Sequence, residues 1–176
     1  MKATSDRVLT AIFCDDIRHE VGNKISFMGC YQNELFVPTA PIALAKLCVY
    51  VTLLTPIERP LRSLRFRVVV DDGMELAKVE IPDNVFENLM VMSEGAPTRT
   101  SVSAAMMFSP FIIEKGTVLR VLADTDEGEV LGPRLLVKIE PQVQVALPPA
   151  DEVKQAKPAA KKAAAKKSIG RKPAKK

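Results

Sequence analysis

Several features that mark membrane-spanning, exported and metal-binding proteins are scarce in this sequence. No apolar run approaches the roughly 18 residues that a transmembrane helix needs. The first residues, MKATSDRVLTAIF, have no apolar core after the lysine and no small-residue cleavage site, so we expect no secretory signal peptide. The 3 cysteines, Cys14, Cys30 and Cys48, each lie within an apolar segment. An odd set without an export signal favours reduced, buried thiols in a cytoplasmic protein.

Acidic residues are missing from the end of the chain. The sequence has 25 Lys and Arg residues and 21 Asp and Glu residues, a net charge of +4. Ten of the basic residues and none of the acidic ones lie in residues 154–176, which leaves 15 basic and 21 acidic side chains in residues 1–153. The body of the chain is therefore acidic, with a net charge of −6, and the tail is strongly basic.

Alternating apolar and polar residues, which are typical of strands with one buried face, recur through the body. The segment LRFRVVVD places Leu64, Phe66 and Val68 on one face, and the pair Asp72-Gly73 predicts a hairpin turn into ELAKVEIP. Similar patterns, from RVLTAIFC near the start to PRLLVKIE near residue 140, bring the count to about eight strands. We therefore predict an all-β fold, an antiparallel, immunoglobulin-like β-sandwich.

Helix is scarce, and one segment, DNVFENLMVM at residues 83–92, has helical spacing of its apolar residues. The pair Pro148-Pro149 cannot continue a strand ladder, which indicates the end of the folded part. We predict a β-sandwich domain over residues 1–141 and a linker over residues 142–153. The Lys/Ala/Pro-rich tail at residues 154–176 has too few large apolar residues to order itself, so we expect it to be disordered.

The segment CDDIRHE gathers a thiol, carboxylates and the one histidine, and it supports two interpretations. The first is the metal or acid–base site of a small metal-dependent enzyme, formed by Asp15, Asp16, His19 and Glu20. Such sites normally need three or four converging ligands, and the chain has a single His and no HExxH or CxxC pair. The second is a solvated corner between two strands, with a turn at Gly22-Asn23. The corner is favoured, and we predict neither a metal nor a cofactor.

The longer stretch FCDDIRHEVGNKISFMGCY resembles the opening motif of a family of uncharacterised bacterial proteins, a domain of unknown function. That motif reads C-D-D-I-R-x-E, then G-x-K and G-x-Y. The matching residues are Cys14, Asp15, Asp16, Ile17, Arg18, Glu20, Gly22, Lys24, Gly29 and Tyr31. The resemblance implies a compact β-rich bacterial domain and supplies no activity. It also implies that the two aspartates and the arginine form an ion-paired network or a binding feature.

The basic tail is the strongest functional signal in the sequence. Its cations are Lys154, Lys157, Lys161, Lys162, Lys166, Lys167, Arg171, Lys172, Lys175 and Lys176. A flexible cationic chain releases condensed counterions from a phosphate backbone and needs no base contacts to bind. The tail resembles the Lys/Ala/Pro-rich tails of linker histones and of histone-like bacterial nucleoid proteins. It has no aromatic residue for base stacking, so we predict salt-dependent binding of DNA or RNA with little sequence preference.

The combined prediction is a cytoplasmic, non-enzymatic binding module whose tail associates with nucleic acid. The sandwich would contact an unidentified protein or ligand, or self-associate through an exposed strand edge. A polybasic segment needs a second anchor to hold a membrane, and none is visible, so we expect no membrane partner. Two alternatives remain: the small metal-dependent enzyme, and a structural or assembly module whose tail only solvates it or shields the acidic body.

Overall fold

Nearly all of the described chain is organised by β-ladders. The computed structural model describes residues 6–71, 73–86 and 98–140. These residues form twelve strands, in chain order β1 (Val8–Cys14), β2 (Asp16–Glu20), β3 (Lys24–Met28), β4 (Glu34–Val37), β5 (Ile42–Leu44), β6 (Leu47–Pro56), β7 (Leu64–Val70), β8 (Glu75–Glu80), β9 (Arg99–Phe108), β10 (Phe111–Ile113), β11 (Thr117–Thr125) and β12 (Gly128–Ile139). The predicted all-β class is confirmed.

Two larger sheets carry the fold. One has the strand order β1-β6-β9, and the other has the order β4-β12-β11-β7-β8. Strands β1, β6 and β9 correspond to strands A, B and E of the immunoglobulin fold, and β12, β11, β7 and β8 correspond to strands G, F, C and C′. Strand β4 is an additional strand at the edge beside β12. All ladders in the two sheets are antiparallel except the pairing of β12 with β4, which is parallel. Two short antiparallel pairs, β2 with β3 and β5 with β10, complete the described part.

The core lies between the two larger sheets, because alternate residues of each sheet point inward. On β6 the side chains of Val49, Val51 and Leu53 are fully buried. On the other sheet Phe66 of β7 and Val121 of β11 are buried equally well. All five belong to one hydrophobic cluster, so the two sheets share a single core, as a sandwich does.

Both predicted hairpins in the second half of the body form. Strand β7 pairs with β8, and β11 pairs with β12. The glycines at their turns, Gly73 and Gly128, have φ angles of 82° and 120°, which favour glycine. The sequence prediction missed β5 and β10, which have only three residues each, too few to show a period of two.

Strand β12 begins at Gly128, five residues before the predicted start at Pro133. The register of β12 against β11 shifts after Arg120, so that Gly132 and Pro133 together lie opposite Val121. This is a β-bulge, which accommodates a proline inside a strand because the residue is not needed for the ladder there. The sequence prediction began the strand at Pro133 and placed Gly128 in the preceding loop, which is wrong for this reason.

The glycine of the bulge permits contact between the two sheets. A Cβ atom added at Gly132 would lie 2.7 Å from Cδ2 of Leu9 on β1 and 2.9 Å from the carbonyl oxygen of Val121. The Leu9 side chain is only 6% exposed, so it has little room to move away. The absence of a side chain at Gly132 therefore lets β1 pack closely against β12.

A buried arginine links one end of the sandwich. The Arg7 guanidinium, whose side chain is 1% exposed, forms an ion pair with Asp126 at 3.0 Å and with Glu127 at 3.5 Å in the turn between β11 and β12. Its Nε also donates a hydrogen bond to Oγ1 of Thr55 at the end of β6. Arg7 therefore joins elements of both sheets. Loss of the arginine, or of its carboxylate partners, would leave the remaining charge poorly compensated.

Three expectations extend beyond the described residues. Residues 83–86 are helical, as predicted, but the rest of the predicted helical segment lies outside the described part. The predicted linker at 142–153 and the predicted disordered tail at 154–176 also lie outside it. The described residues all fall within one compact unit, Met1–Gln142.

We predict that Gly132→Ala lowers the free energy of unfolding by about 1–3 kcal/mol, the usual cost of overpacking a tight site. Urea unfolding of the full chain measures this change. The Leu9→Ala variant provides the control, because it removes the side chain that the new methyl group would strike. In that background Gly132→Ala should cost less than in the natural sequence, and strictly additive effects of the two changes would contradict the proposed contact.

Candidate functional site

The segment that carries the sequence motif folds as a hairpin on the sandwich. Strand β2 pairs with β3 from Asp16↔Met28 to Glu20↔Lys24. The predicted turn is present, with Gly22 and Asn23 at φ angles of 82° and 55°. The expectation that residues 15–20 form a connecting corner is wrong, because all but Asp15 belong to a paired strand. The segment DIRHE does not show the apolar and polar alternation of a strand, because Ile17 is its only apolar residue.

Asp15 holds the base of this hairpin. Its Oδ1 accepts a hydrogen bond from the Tyr31 hydroxyl, and its carboxylate packs directly against Gly29. A Cβ atom at Gly29 would overlap that carboxylate, and the φ angle of 64° at this position independently favours glycine. Burial and the hydrogen bond to Asp15 both raise the pKa of the Tyr31 hydroxyl, which therefore remains a donor at neutral pH. Three residues of the motif thus form one contact.

Asp16 makes a separate set of ion pairs. Its Oδ1 accepts a hydrogen bond from Nζ of Lys46 at 2.8 Å, and its Oδ2 accepts one from Nε of Arg18 at 3.3 Å. The bond from Lys46, followed by that from Arg18, lowers the pKa of Asp16, and the same bond raises the pKa of Lys46. Lys46 immediately precedes β6, so this pair ties the hairpin to the sandwich. These side chains are partly exposed, and each pair contributes little to stability alone.

The three cysteines lie on neighbouring backbone segments. Cys14 and Cys48 are direct partners in the β1–β6 ladder, and both are fully buried. On the other side of β1, Asp15 N–H donates to the Met28 carbonyl and Tyr31 N–H donates to the Phe13 carbonyl, which places Gly29 and Cys30 opposite Cys14. Cys30 is exposed, so the expectation of three buried thiols is wrong for this residue.

The two buried thiols point toward the start of the hairpin. The Cys14 thiol donates a hydrogen bond to the Asp16 carbonyl at 3.4 Å, and the Cys48 thiol donates one to the Asp15 carbonyl at 3.7 Å. Burial raises the pKa of the Cys14 thiol to about 11, with further increases from the charges of Cys48 and Cys30. Burial also raises the pKa of Cys48. In this resting arrangement both thiols are protonated at neutral pH.

The side chains considered for metal or acid–base chemistry do not converge. Asp16 and Glu20 lie on one face of β2 and His19 lies on the other, because side chains alternate along a strand. Among the described residues no group of three or more His, Cys, Asp or Glu side chains is arranged to hold a metal ion. The motif geometry therefore favours anchoring over metal binding.

The apolar face of the hairpin lies on the three-stranded sheet. Phe27 of β3 packs at a tilt against Tyr50 of β6, with ring centroids 5.1 Å apart and an angle of 58° between the ring planes. Ile17 lies opposite Phe27 in the hairpin ladder and is half-buried. At the tip, Val21 is 93% exposed. The hairpin is thus fixed at its base and open to solvent at its turn.

The outer faces of the two large sheets differ in charge. Arg67 on the five-stranded sheet pairs with Asp124 at 2.8 Å and with Glu129 at 2.7 Å, and similar cross-strand pairs cover that face. On the three-stranded sheet, by contrast, Arg99 near one end of β9 is the one charged residue among the outward residues of its described strands. The uncharged ones are Val8, Thr10, Ile12, Cys14, Cys48, Tyr50, Thr52, Leu54, Pro56, Ser101, Ser103, Ala105 and Met107. Met107 is 57% exposed and Val8 is 45% exposed, so part of this face meets solvent.

Cations on the described sandwich are largely engaged with carboxylates. Those in ion pairs are Arg7, Arg18, Lys46, Arg59, Arg65, Arg67, Arg120 and Lys138. The ten predicted nucleic-acid-binding residues, from Lys154 to Lys176, lie outside the described residues. Eight of the fourteen Lys and Arg residues in the described sandwich therefore already have a carboxylate partner.

Neither the family models nor the curated proteins contain a match to this chain. Within the described part, no helix has the length and apolar character needed to cross a membrane.

Two participants in the site were not found from the sequence. Lys46 and Cys48 are separated from the motif by more than fourteen residues and reach it through the β1–β6 ladder. The signal for Cys48 was present in part, because Cys14 and Cys48 occupy the ends of two predicted strands. Their pairing depends on the register, which a single sequence does not specify when the two strands are distant.

We predict that Gly29→Ala lowers the free energy of unfolding more than Gly22→Ala does. Both positions have positive φ, so each substitution carries a backbone cost of about 1–2 kcal/mol. Only Gly29 adds an overlap with Asp15, which we expect to contribute about 2 kcal/mol more. Urea denaturation of the two variants measures the difference. Equal costs would contradict the Asp15–Gly29 contact, and Asp15→Ala should relieve the additional cost of Gly29→Ala.

Proposed function

We propose that this protein is a non-enzymatic β-sandwich module that associates with nucleic acid through its polybasic tail, without sequence preference. We include in the proposal a cytoplasmic location and membership of the bacterial family that its N-terminal motif resembles. The observation that carries it is the charge distribution: ten cations and no carboxylates in residues 154–176, attached to a body of net charge −6. Such a segment attracts polyanions by counterion release.

Ion pairing on the sandwich supports the same assignment. A cation that already pairs with a carboxylate gains less from a phosphate, since its charge is partly balanced. Arg67, for example, donates to both Asp124 oxygens and to Glu129. The acidic body would itself repel a phosphate backbone. Affinity for nucleic acid should therefore come from the tail, and the sandwich should add little.

The salt dependence of binding gives a quantitative test. For duplex DNA, log K falls with log salt concentration with a slope of about −0.9 per phosphate neutralised, so ten tail cations set a limit near −9. We predict that replacing Lys161, Lys162, Lys166 and Lys167 with Gln makes the slope shallower by up to about 3.6. Fluorescence anisotropy with random-sequence duplex DNA at several salt concentrations measures both slopes.

A matched variant removes the same charge from the sandwich. Lys24, Lys78, Lys115 and Arg134 are exposed on the described body, and their replacement with Gln should leave the slope nearly unchanged. A chain ending at Pro149 should lose most of its affinity. Equal slopes for the tail and body variants, or undiminished binding by the shortened chain, would refute the proposal.

A structural or assembly module is the second candidate, and the outer face of the three-stranded sheet favours it, because Arg99 is the one charged residue among the outward residues of its described strands. A face with so little charge is electrostatically compatible with a second copy of itself, as a two-fold contact requires. The edge strand β8, by contrast, carries Glu75, Lys78 and Glu80, and such charges discourage edge pairing. If self-association occurs, the face is a better site for it than the predicted strand edge.

We predict that any dimer seen by light scattering is weakened at least about tenfold in Met107→Lys, since burying an unpaired charge opposes association. Lys78→Gln, on the edge strand, should leave the dimer unaffected. A concentration-independent monomer would eliminate this second candidate.

A further inference from the structure

Cys14 and Cys48 are placed for a covalent bond. They are direct partners in the antiparallel β1–β6 ladder, so their side chains lie on the same face of the sheet. Paired residues in such a ladder have Cα atoms about 4.5–5.5 Å apart. A disulfide takes Cα separations of about 4.4–6.8 Å, so the spacing of the two strands is compatible with a bond between these residues. Both thiols are free in the structure.

The third cysteine, Cys30, lies next to this pair and is exposed to solvent. The hydrogen bonds that flank Cys14, from Asp15 N–H to Met28 and from Tyr31 N–H to Phe13, place Cys30 on the next backbone segment. Cys30 is exposed, whereas Cys14 and Cys48 are fully buried. Cys14 thus lies between an accessible thiol and a buried one.

We propose that Cys14 and Cys48 are an oxidisable pair that closes into a cross-strand disulfide on exposure to peroxide, with Cys30 as the thiol that the oxidant meets first. This role uses none of the tail and is independent of nucleic-acid binding. Cys30 is oxidised first, because oxidation of a cysteine requires contact with the oxidant and the hairpin shields the two buried thiols from solvent.

The chemistry balances in three steps. The Cys30 thiolate attacks the O–O bond of hydrogen peroxide, which gives a sulfenic acid and hydroxide, and the hydroxide takes up the thiol proton as water. Cys14 then attacks the sulfenic sulfur, so that an S–S bond forms and a second water leaves. Cys48 attacks the Cys14 sulfur and displaces Cys30, which recovers the proton that Cys48 loses. Overall two thiols become one disulfide, and one peroxide becomes two waters.

The ladder favours the final pairing. Hydrogen bonds hold β1 and β6 in register over seven residue pairs, from Val8↔Leu54 to Cys14↔Cys48. Cys30 lies outside that ladder, near the end of the hairpin. Oxidation would also withdraw the thiol hydrogen bonds that now reach the carbonyls of Asp15 and Asp16, the residues that anchor the hairpin.

Peptide mapping of the full chain tests the proposal. Trypsin separates the three cysteines into residues 8–18, 25–46 and 47–62, because it cuts after Arg7, Arg18, Lys24, Lys46 and Arg62. After treatment with hydrogen peroxide and alkylation of free thiols, we expect a disulfide between peptides 8–18 and 47–62 that dithiothreitol reverses. In Cys30→Ser the same product should form at least about tenfold more slowly.

Two controls distinguish a role of the fold from simple thiol reactivity. In concentrated guanidinium, pairs closer in the sequence should dominate, namely Cys14–Cys30 and Cys30–Cys48, because shorter loops close at lower entropic cost. Cys48→Ala should remove the expected crosslink and leave peptide 8–18 joined to 25–46. The proposal is overturned if folded protein accumulates Cys30-linked disulfides as the end product, if no crosslink forms, or if Cys30→Ser reacts at the natural rate.

Discussion

The contact between the Asp15 carboxylate, Gly29 and the Tyr31 hydroxyl organises the region that distinguishes this sandwich. The chain leaves the three-stranded sheet at Cys14, forms a hairpin, and returns beside β1 at Tyr31. Asp15 accepts the Tyr31 hydrogen bond only because Gly29 has no side chain to exclude the carboxylate. This contact holds the first residue of the hairpin segment, Asp15, next to the residue at its end, Tyr31. The hairpin between them covers the two buried thiols. This local geometry accounts for Asp15, Gly29 and Tyr31 of the motif.

The outer faces of the two large sheets differ in their charge and in what packs onto them. Cross-strand ion pairs such as Arg67–Asp124 keep the five-stranded face hydrated and balance its cations. The three-stranded face has one charged residue, Arg99, in its described strands, and the hairpin packs onto it through Phe27 and Tyr50. Ion pairs engage eight of the fourteen described cations of the sandwich, which supports the proposal that phosphate binds through the tail. The two cysteines of the proposed disulfide lie at one end of the three-stranded sheet.

The secondary structure was largely predictable because a period of two is visible wherever a strand is long and buries one face. Strands β1, β6, β7, β9 and β11 satisfy that condition, and the immunoglobulin-like class follows from their number and spacing. Strand β2 was mistaken for a corner because charged side chains dominate it and Asp15 precedes it. Strand β12 was predicted too short because its first residues, from Gly128, were placed in the loop, whereas a bulge at Gly132 and Pro133 lets the strand continue.

The sequence by itself determined the all-β class, the hairpin turns at glycines with positive φ, and the separation of charge between body and tail. These depend on local periodicity, backbone sterics and composition, which need no knowledge of distant contacts. Only the tertiary structure decided that Asp15 meets Tyr31, that Asp16 meets Lys46, and that Cys14 faces Cys48. Each of these contacts depends on the register of strands that are far apart in the chain, and register is set by packing of the whole core.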